Sequence, residues 1–144
     1  MVGFAQGGGG RQPGEGRKEK LEKLKEFRKK LLIEKLSLTA DEQKNFLPLY
    51  EEFKEKERTL LVDFREKYPK NKLIIMSDEE ANKYLDDYLK LQESRLALEK
   101  EYIDKYRKVL PVRKVIIIKR VEKEIQQAII KKAGEINLGI SEDE

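Results

Sequence analysis

Apolar residues recur along this chain every three or four positions, with charged residues filling the gaps, and this spacing predicts four amphipathic helices. Over 17–35 the stripe is Leu21, Leu24, Phe27 and Leu31, widened near its end by Leu32 and Ile33. Over 40–68 it is Phe46, Tyr50, Phe53, Leu60, Phe64 and Tyr68, interrupted by Glu57. Over 78–109 it is Tyr84, Tyr88, Leu91, Leu98, Tyr102, Tyr106 and Val109, interrupted by Arg95. Over 112–133, Val115, Ile118, Val121, Ile125 and Ile129 share a face, while Ile116, Ile117 and Ile130 fall off it. The run Val115 to Ile118 is β-branched and taken alone suits a strand. Its helical period and charged flanks argue for helix.

The boundaries carry their own signals. Leu36-Ser37-Leu38-Thr39-Ala40-Asp41-Glu42-Gln43 ends the first helix and starts the second. Thr39 with Glu42 reads as a capping box, and Asp41 and Glu42 place negative charge at the positive end of the helix dipole. Pro48 lies well past the first turn, removes the bond to the Lys44 carbonyl and is expected to bend the helix. Tyr68-Pro69 ends it, and Pro69 to Met76 reads as a loop. Ser77 with Glu80 forms a second capping box, with Met76 and Ala81 placed as a staple. Leu110-Pro111 is a sharp joint that puts proline in the first turn of the last helix. Gly134 is expected at C′. An antiparallel hairpin turning near residue 73 sets Arg95 opposite Glu51 rather than Glu57, so these two interrupting charges are expected to reach solvent separately. Residues 1–16, with Gly7 to Gly10 and Pro13, read as a disordered tail. Residues 17–133 read as a single helical domain, and 134–144, closing on Ser141-Glu142-Asp143-Glu144, as a mobile acidic tail.

Composition narrows the fold class to all-α. Of the 144 residues 42% are charged and 38% hydrophobic, which fits long helices with narrow stripes in a thin, bent hairpin arrangement rather than a thick core. A thin bundle of this size often needs a partner surface to bury enough area. There is no cysteine and no histidine. Disulfides, Cys/His metal sites and Ser-His or Cys-His nucleophile pairs are thereby excluded. The glycine run lacks the Lys-Ser/Thr of a phosphate loop. No enzyme activity, cofactor or metal is expected. No apolar run approaches a membrane span. No intact export signal is read, and Gly3-Phe4-Ala5-Gln6 reads as the remnant of a cleaved one behind an added Met.

The net charge of +4 is uneven. Residues 17–35 and 112–133 each net +5, whereas 40–68 and 78–109 each net −2. Opposite nets favour packing the outer helices on the inner pair, and splayed outer helices would leave a basic surface. The candidate partner-binding residues are therefore Leu32, Ile33, Ile116, Ile117 and Ile130, with Arg28, Lys29, Lys30, Arg113, Lys119 and Arg120 around them. Each position also reads as dimer burial or ordinary surface. Nucleic acid is not the expected partner, because neither an RGG repeat nor a known reader motif accompanies the basic helices.

The block from Leu36 to Gln43, followed by Phe46-Leu47-Pro48-Leu49-Tyr50, resembles the first signature of the Spy/CpxP-like (LTxxQ-motif) periplasmic proteins in their Bacteroidetes form. The stretch from Leu98 through Tyr102, Tyr106 and Val109 to Leu110, followed by Lys114, is similar to that form's second block. The resemblance covers roughly residues 20–130, in order and with matching spacing. It departs in two places: Gln43 stands one position late, and Leu110 is followed by Pro111 rather than Thr. The resemblance implies structural roles for Leu38, Thr39, Glu42, Gln43, Phe46, Pro48, Tyr50 and Leu110. It also implies a periplasmic, all-helical protein forming an antiparallel, cradle-shaped homodimer. Such a protein acts as an ATP-independent chaperone on unfolded or partly folded chains, or as an envelope-stress adaptor binding one signalling partner.

Overall fold

The computed structural model describes residues 13–135, and all regular structure among them is helical. Five helices are present: α1 Pro13–Leu36, α2 Ala40–Lys67, α3 Lys70–Leu73, α4 Asp78–Arg107 and α5 Val112–Glu135. Four match the expected elements, and α3 is an additional short turn where a loop was expected. The tails expected at either end lie largely outside the described residues. Residues 13–16 instead belong to α1, with Pro13 in the position where its missing N–H is harmless. Gly134 is not a C′ residue, because α5 runs through it to Glu135. Contacts divide the chain into two compact units, one comprising Ala40 to Val115, the other the chain up to Thr39 together with that from Ile116 onward.

In the Ala40–Val115 unit, α2 and α4 pack antiparallel. Phe46 meets Tyr106, Phe53 meets Tyr102, and Phe64 meets Tyr88 and Tyr84. Phe46, Leu47 and Tyr50 of α2 are buried, as are Tyr102 and Tyr106 of α4 and Leu110 after it. Helix α2 remains continuous through Pro48. The Ser77 hydroxyl accepts the Glu80 N–H at 3.2 Å and the Glu80 carboxylate accepts the Ser77 N–H at 3.0 Å, a complete capping box. Pro111 sits one position before α5, its carbonyl accepting from the N–H groups of Lys114 and Val115.

The register differs from expectation. The cross-helix pairs are symmetric about residue 76 rather than 73, and Arg95 Nη2 reaches Glu57 Oε2 at 3.5 Å. The physical reason lies in the connection. After Tyr68 the chain takes the extra turn of α3, so the start of α4 overhangs the end of α2.

In the other unit, α1 runs antiparallel to α5. Leu24 packs with Ala133 and Ile129, the Lys132 ammonium sits 5.5 Å from the Phe27 ring centre, and Lys35 pairs with Glu124 at 2.9 Å. Leu32, Leu36 and Leu38 are buried, and so are Ile118, Val121 and Ile125.

The end of α1 is a full Schellman cap. Ser37 N–H donates to the Glu34 carbonyl at 3.2 Å and Leu38 N–H to Ile33 at 3.0 Å. The residue at C′ is Ser37, with φ 51°, the left-handed region that disfavours a Cβ. Ser37→Gly is therefore expected to raise the unfolding free energy by about 1 kcal/mol, read as a shift in the urea midpoint. A lowered midpoint would show that the serine side chain outweighs the backbone strain.

Candidate binding surface

The helical period of α5 places Ile118, Val121 and Ile125 inward and leaves a second face outward. That outward face carries Ile116, Lys119, Arg120, Lys123, Ile130 and Lys131. Ile116 is 70% exposed, and Lys119, Arg120, Lys123 and Lys131 are exposed around the same side. Of the acids in this stretch, Glu122 is half-buried, Glu124 stands exposed at the edge of that face and pairs with Lys35, and Glu135 pairs with Lys132 at 3.8 Å. Ile117 is also exposed, on the flank beside Glu124. Among described residues this unit holds fourteen basic and eight acidic groups, a net of +6. The Ala40–Val115 unit holds seventeen of each and is neutral.

The expected site residues separate into groups. Ile116, Ile117, Lys119 and Arg120 cluster at one end of the α5 face. Ile130 lies fourteen residues away on α5, about 20 Å along the axis, at the level of Lys29 and Lys30 on α1. Ile33 is half-buried. Arg28 is half-buried on the same side of α1 as Leu24 and Leu32. Leu32 is a correction: it is 0% exposed and belongs to the core. Where a stripe widens to adjacent residues, only one of the pair turns inward, and here it is Leu32. Arg113 is exposed and belongs to the other unit.

The motif residues take part in packing. Leu38, Phe46, Tyr50 and Leu110 are buried, whereas Pro48 is exposed. Glu42 accepts from Lys114 at 2.6 Å, with side chains only 14% and 22% exposed. Nothing local signals this link, since the partners are 72 residues apart.

Polar groups tie α2 to α4 along their length. Tyr102 donates to Glu52, which holds that carboxyl below its usual range, and Lys105 lies 3.8 Å from Glu52 and 3.1 Å from Glu101. Near the connection Tyr68 donates to Asp87, which also accepts from Lys67 at 2.8 Å. Lys67 first and Tyr68 second hold the Asp87 carboxyl low. The same carboxylate pushes the Tyr68 hydroxyl up to about 12. A raised folded pKa contributes stability that is fully present below the unfolded value of about 10 and lost as pH rises through about 12. The stability difference between wild type and Tyr68→Phe is accordingly expected to hold steady up to pH ~10 and to shrink towards pH ~12, measured by urea midpoints. A difference that is flat across that window would show that the tyrosine titrates alike in both states.

Two apolar exposures differ from the sequence reading, which has the run Leu73 to Met76 fold over the end of the hairpin and only one apolar stripe on α4. Ile74 and Ile75, after α3, are 85% and 79% exposed. On α4, Leu85, Leu89 and Leu96 recur at intervals of four and seven, forming an exposed second stripe beside the aromatic one. The helical spacing of these leucines is plain in the sequence, but the larger aromatic stripe masks it. Among the described residues no helix is long and apolar enough to cross a membrane, and no group of three or more acidic side chains is placed to hold a metal ion. No family model, no curated protein and no solved structure matches the chain.

Proposed function

We propose that this protein is a periplasmic, ATP-independent chaperone-like protein that holds unfolded or partly folded polypeptides, and that it works as an antiparallel homodimer. The observation that carries the reading is Ile116, which is exposed on a face carrying four cations, with Glu124 at its edge paired to Lys35. Cations attract acidic segments at long range, and isolated apolar side chains then hold apolar segments weakly enough to release them. The ordered resemblance of the Leu36–Tyr50 and Leu98–Lys114 blocks to Spy/CpxP-like proteins supports the same reading, the periplasmic location and the bent-hairpin cradle. The exposed Leu85, Leu89 and Leu96 stripe supports a dimer, because a helix with a thin core gains by covering such a face.

The test is suppression of aggregation of an unrelated denatured protein, without ATP, at low and high salt. The full chain is compared with Ile116→Ser/Ile117→Ser, after both are matched for helicity and mass. Suppression by the wild type that weakens in the variant is expected. No suppression by the wild type in excess, with saturable binding to one envelope protein, would replace this reading by an envelope-stress adaptor.

A further inference from the structure

We infer that the outer stripe of α5 selects extended segments in which two apolar residues, six positions apart, flank two acids on the same side of the strand. The inference rests on the client-binding reading and names the segments that this face takes. Ile116, Arg120, Lys123, Gln127 and Ile130 recur at alternating intervals of four and three, so they form one narrow line along the helix. Ile116, Arg120, Lys123 and Gln127 are exposed, and Ile130 is half-buried. None of the five is acidic, and Glu124 at the edge is paired with Lys35. The line therefore reads apolar, cation, cation, amide, apolar.

The helix fixes the spacing. At about 1.5 Å per residue, Arg120 lies about 6 Å, Lys123 about 10.5 Å and Ile130 about 21 Å from Ile116 along the axis. An unfolded chain laid alongside in extended conformation rises about 3.3 Å per residue and turns alternate side chains to the helix. Its first, third, fifth and seventh residues then stand at about 0, 7, 13 and 20 Å. The first meets Ile116, the third Arg120 and the seventh Ile130, each within about 1 Å. The fifth falls about 3 Å beyond Lys123, a gap that a flexible four-carbon stem spans. Acids at the third and fifth positions thus meet cations, and apolar residues at the first and seventh meet isoleucines. Moving the acids to the ends sets them against Ile116 and Ile130 and leaves both cations facing apolar groups. That order forfeits the charge contacts and the apolar contacts together.

Two capped heptapeptides of one composition separate order from charge: Ile-Ser-Glu-Ser-Glu-Ser-Ile and its permutation Glu-Ser-Ile-Ser-Ile-Ser-Glu. Each is titrated at low salt into the full chain and read by the amide signals of residues 116–131. A denatured, carboxymethylated acidic protein is titrated in parallel. The first peptide is expected to bind about 3- to 10-fold more tightly than the permutation and to shift signals along α5. The preference should fall towards one in R120Q/K123Q, matched to wild type for helicity. It should fall likewise in about 1 M salt, where the Debye length is about 3 Å.

Equal affinities for the two peptides overturn the inference. So does a preference whose shifts lie outside α5 or that survives R120Q/K123Q. Binding of the denatured protein with neither peptide bound overturns it too, and in each of these cases a bound denatured protein leaves the client-binding reading standing without the pattern. If the first peptide binds along α5 with the stated preference and the denatured protein does not bind, the pattern stands and the client-binding reading fails.

Discussion

Phe46→Ala is expected to lower the unfolding free energy by about 3–5 kcal/mol. The ring is 0% exposed. It meets Tyr106 edge-on at 5.0 Å between ring centres and Tyr50 at 5.7 Å, so truncation removes contacts to both packed helices at once. Aromatic pairs of this geometry contribute about 0.5–1.5 kcal/mol beyond burial alone, which places the site at the upper end of core truncations. Neither neighbour can follow the vacated volume easily. Tyr50 is fixed one turn along the same helix, and Tyr106 is itself buried on α4. For a chain of this length each kcal/mol corresponds to about 3–5 °C in Tm, so a fall of about 10–20 °C is expected. Phe46→Leu fills most of the space and should lose less than about 2 kcal/mol. Thermal unfolding by circular dichroism, with urea titration, measures both. A Phe46→Ala loss below about 1 kcal/mol would mean that the site collapses freely and that the aromatic stack does not anchor this helix pair.

Much of this packing was legible because burial follows helical period. Tyr50, Tyr102, Tyr106, Ile118, Val121 and Ile125 were all placed on apolar stripes, and all are buried. The Ser77–Glu80 box was legible because a cap is local chemistry, settled within four residues. What escaped depends on distance or on backbone geometry. Leu47 is buried although it stands beside the stripe, because the α2 face widens next to Phe46. The Glu57–Arg95 approach was placed at Glu51 because register depends on the path of the connection, and α3 changed that path. The Schellman cap was hidden by a serine where glycine is the usual signal. The Glu42–Lys114 pair joins residues that no pattern of spacing links.

For the candidate surface, period separated Ile116 from Ile118 correctly but did not decide between Leu32 and Ile33. Adjacent apolar residues lie about 100° apart on a helix, and both fit a stripe of ordinary width. The neighbouring helix chooses between them. Charge was legible at the level of segments, since the excess of cations on α1 and α5 was plain. Its consequence for one face of α5 was not, because that depends on Lys35 drawing Glu124 aside.

Leu32→Ala turns this distinction into a measurement. A leucine at 0% exposure loses its transfer free energy and leaves a cavity, so a destabilisation of about 2–5 kcal/mol is expected. Ile116→Ala, at a position 70% exposed, should change stability by less than about 0.5 kcal/mol. The effects on client affinity should be reversed. Below its lowered midpoint, folded Leu32→Ala keeps the outer face of α5 and should bind a denatured acidic protein as wild type does. Ile116→Ala should bind it more weakly with its melting curve unmoved. Running both variants through one denaturation series and one binding titration separates core from surface within a single unit. If Leu32→Ala melts like wild type and loses binding, Leu32 is reached by the partner and the arrangement of α1 against α5 must open on binding.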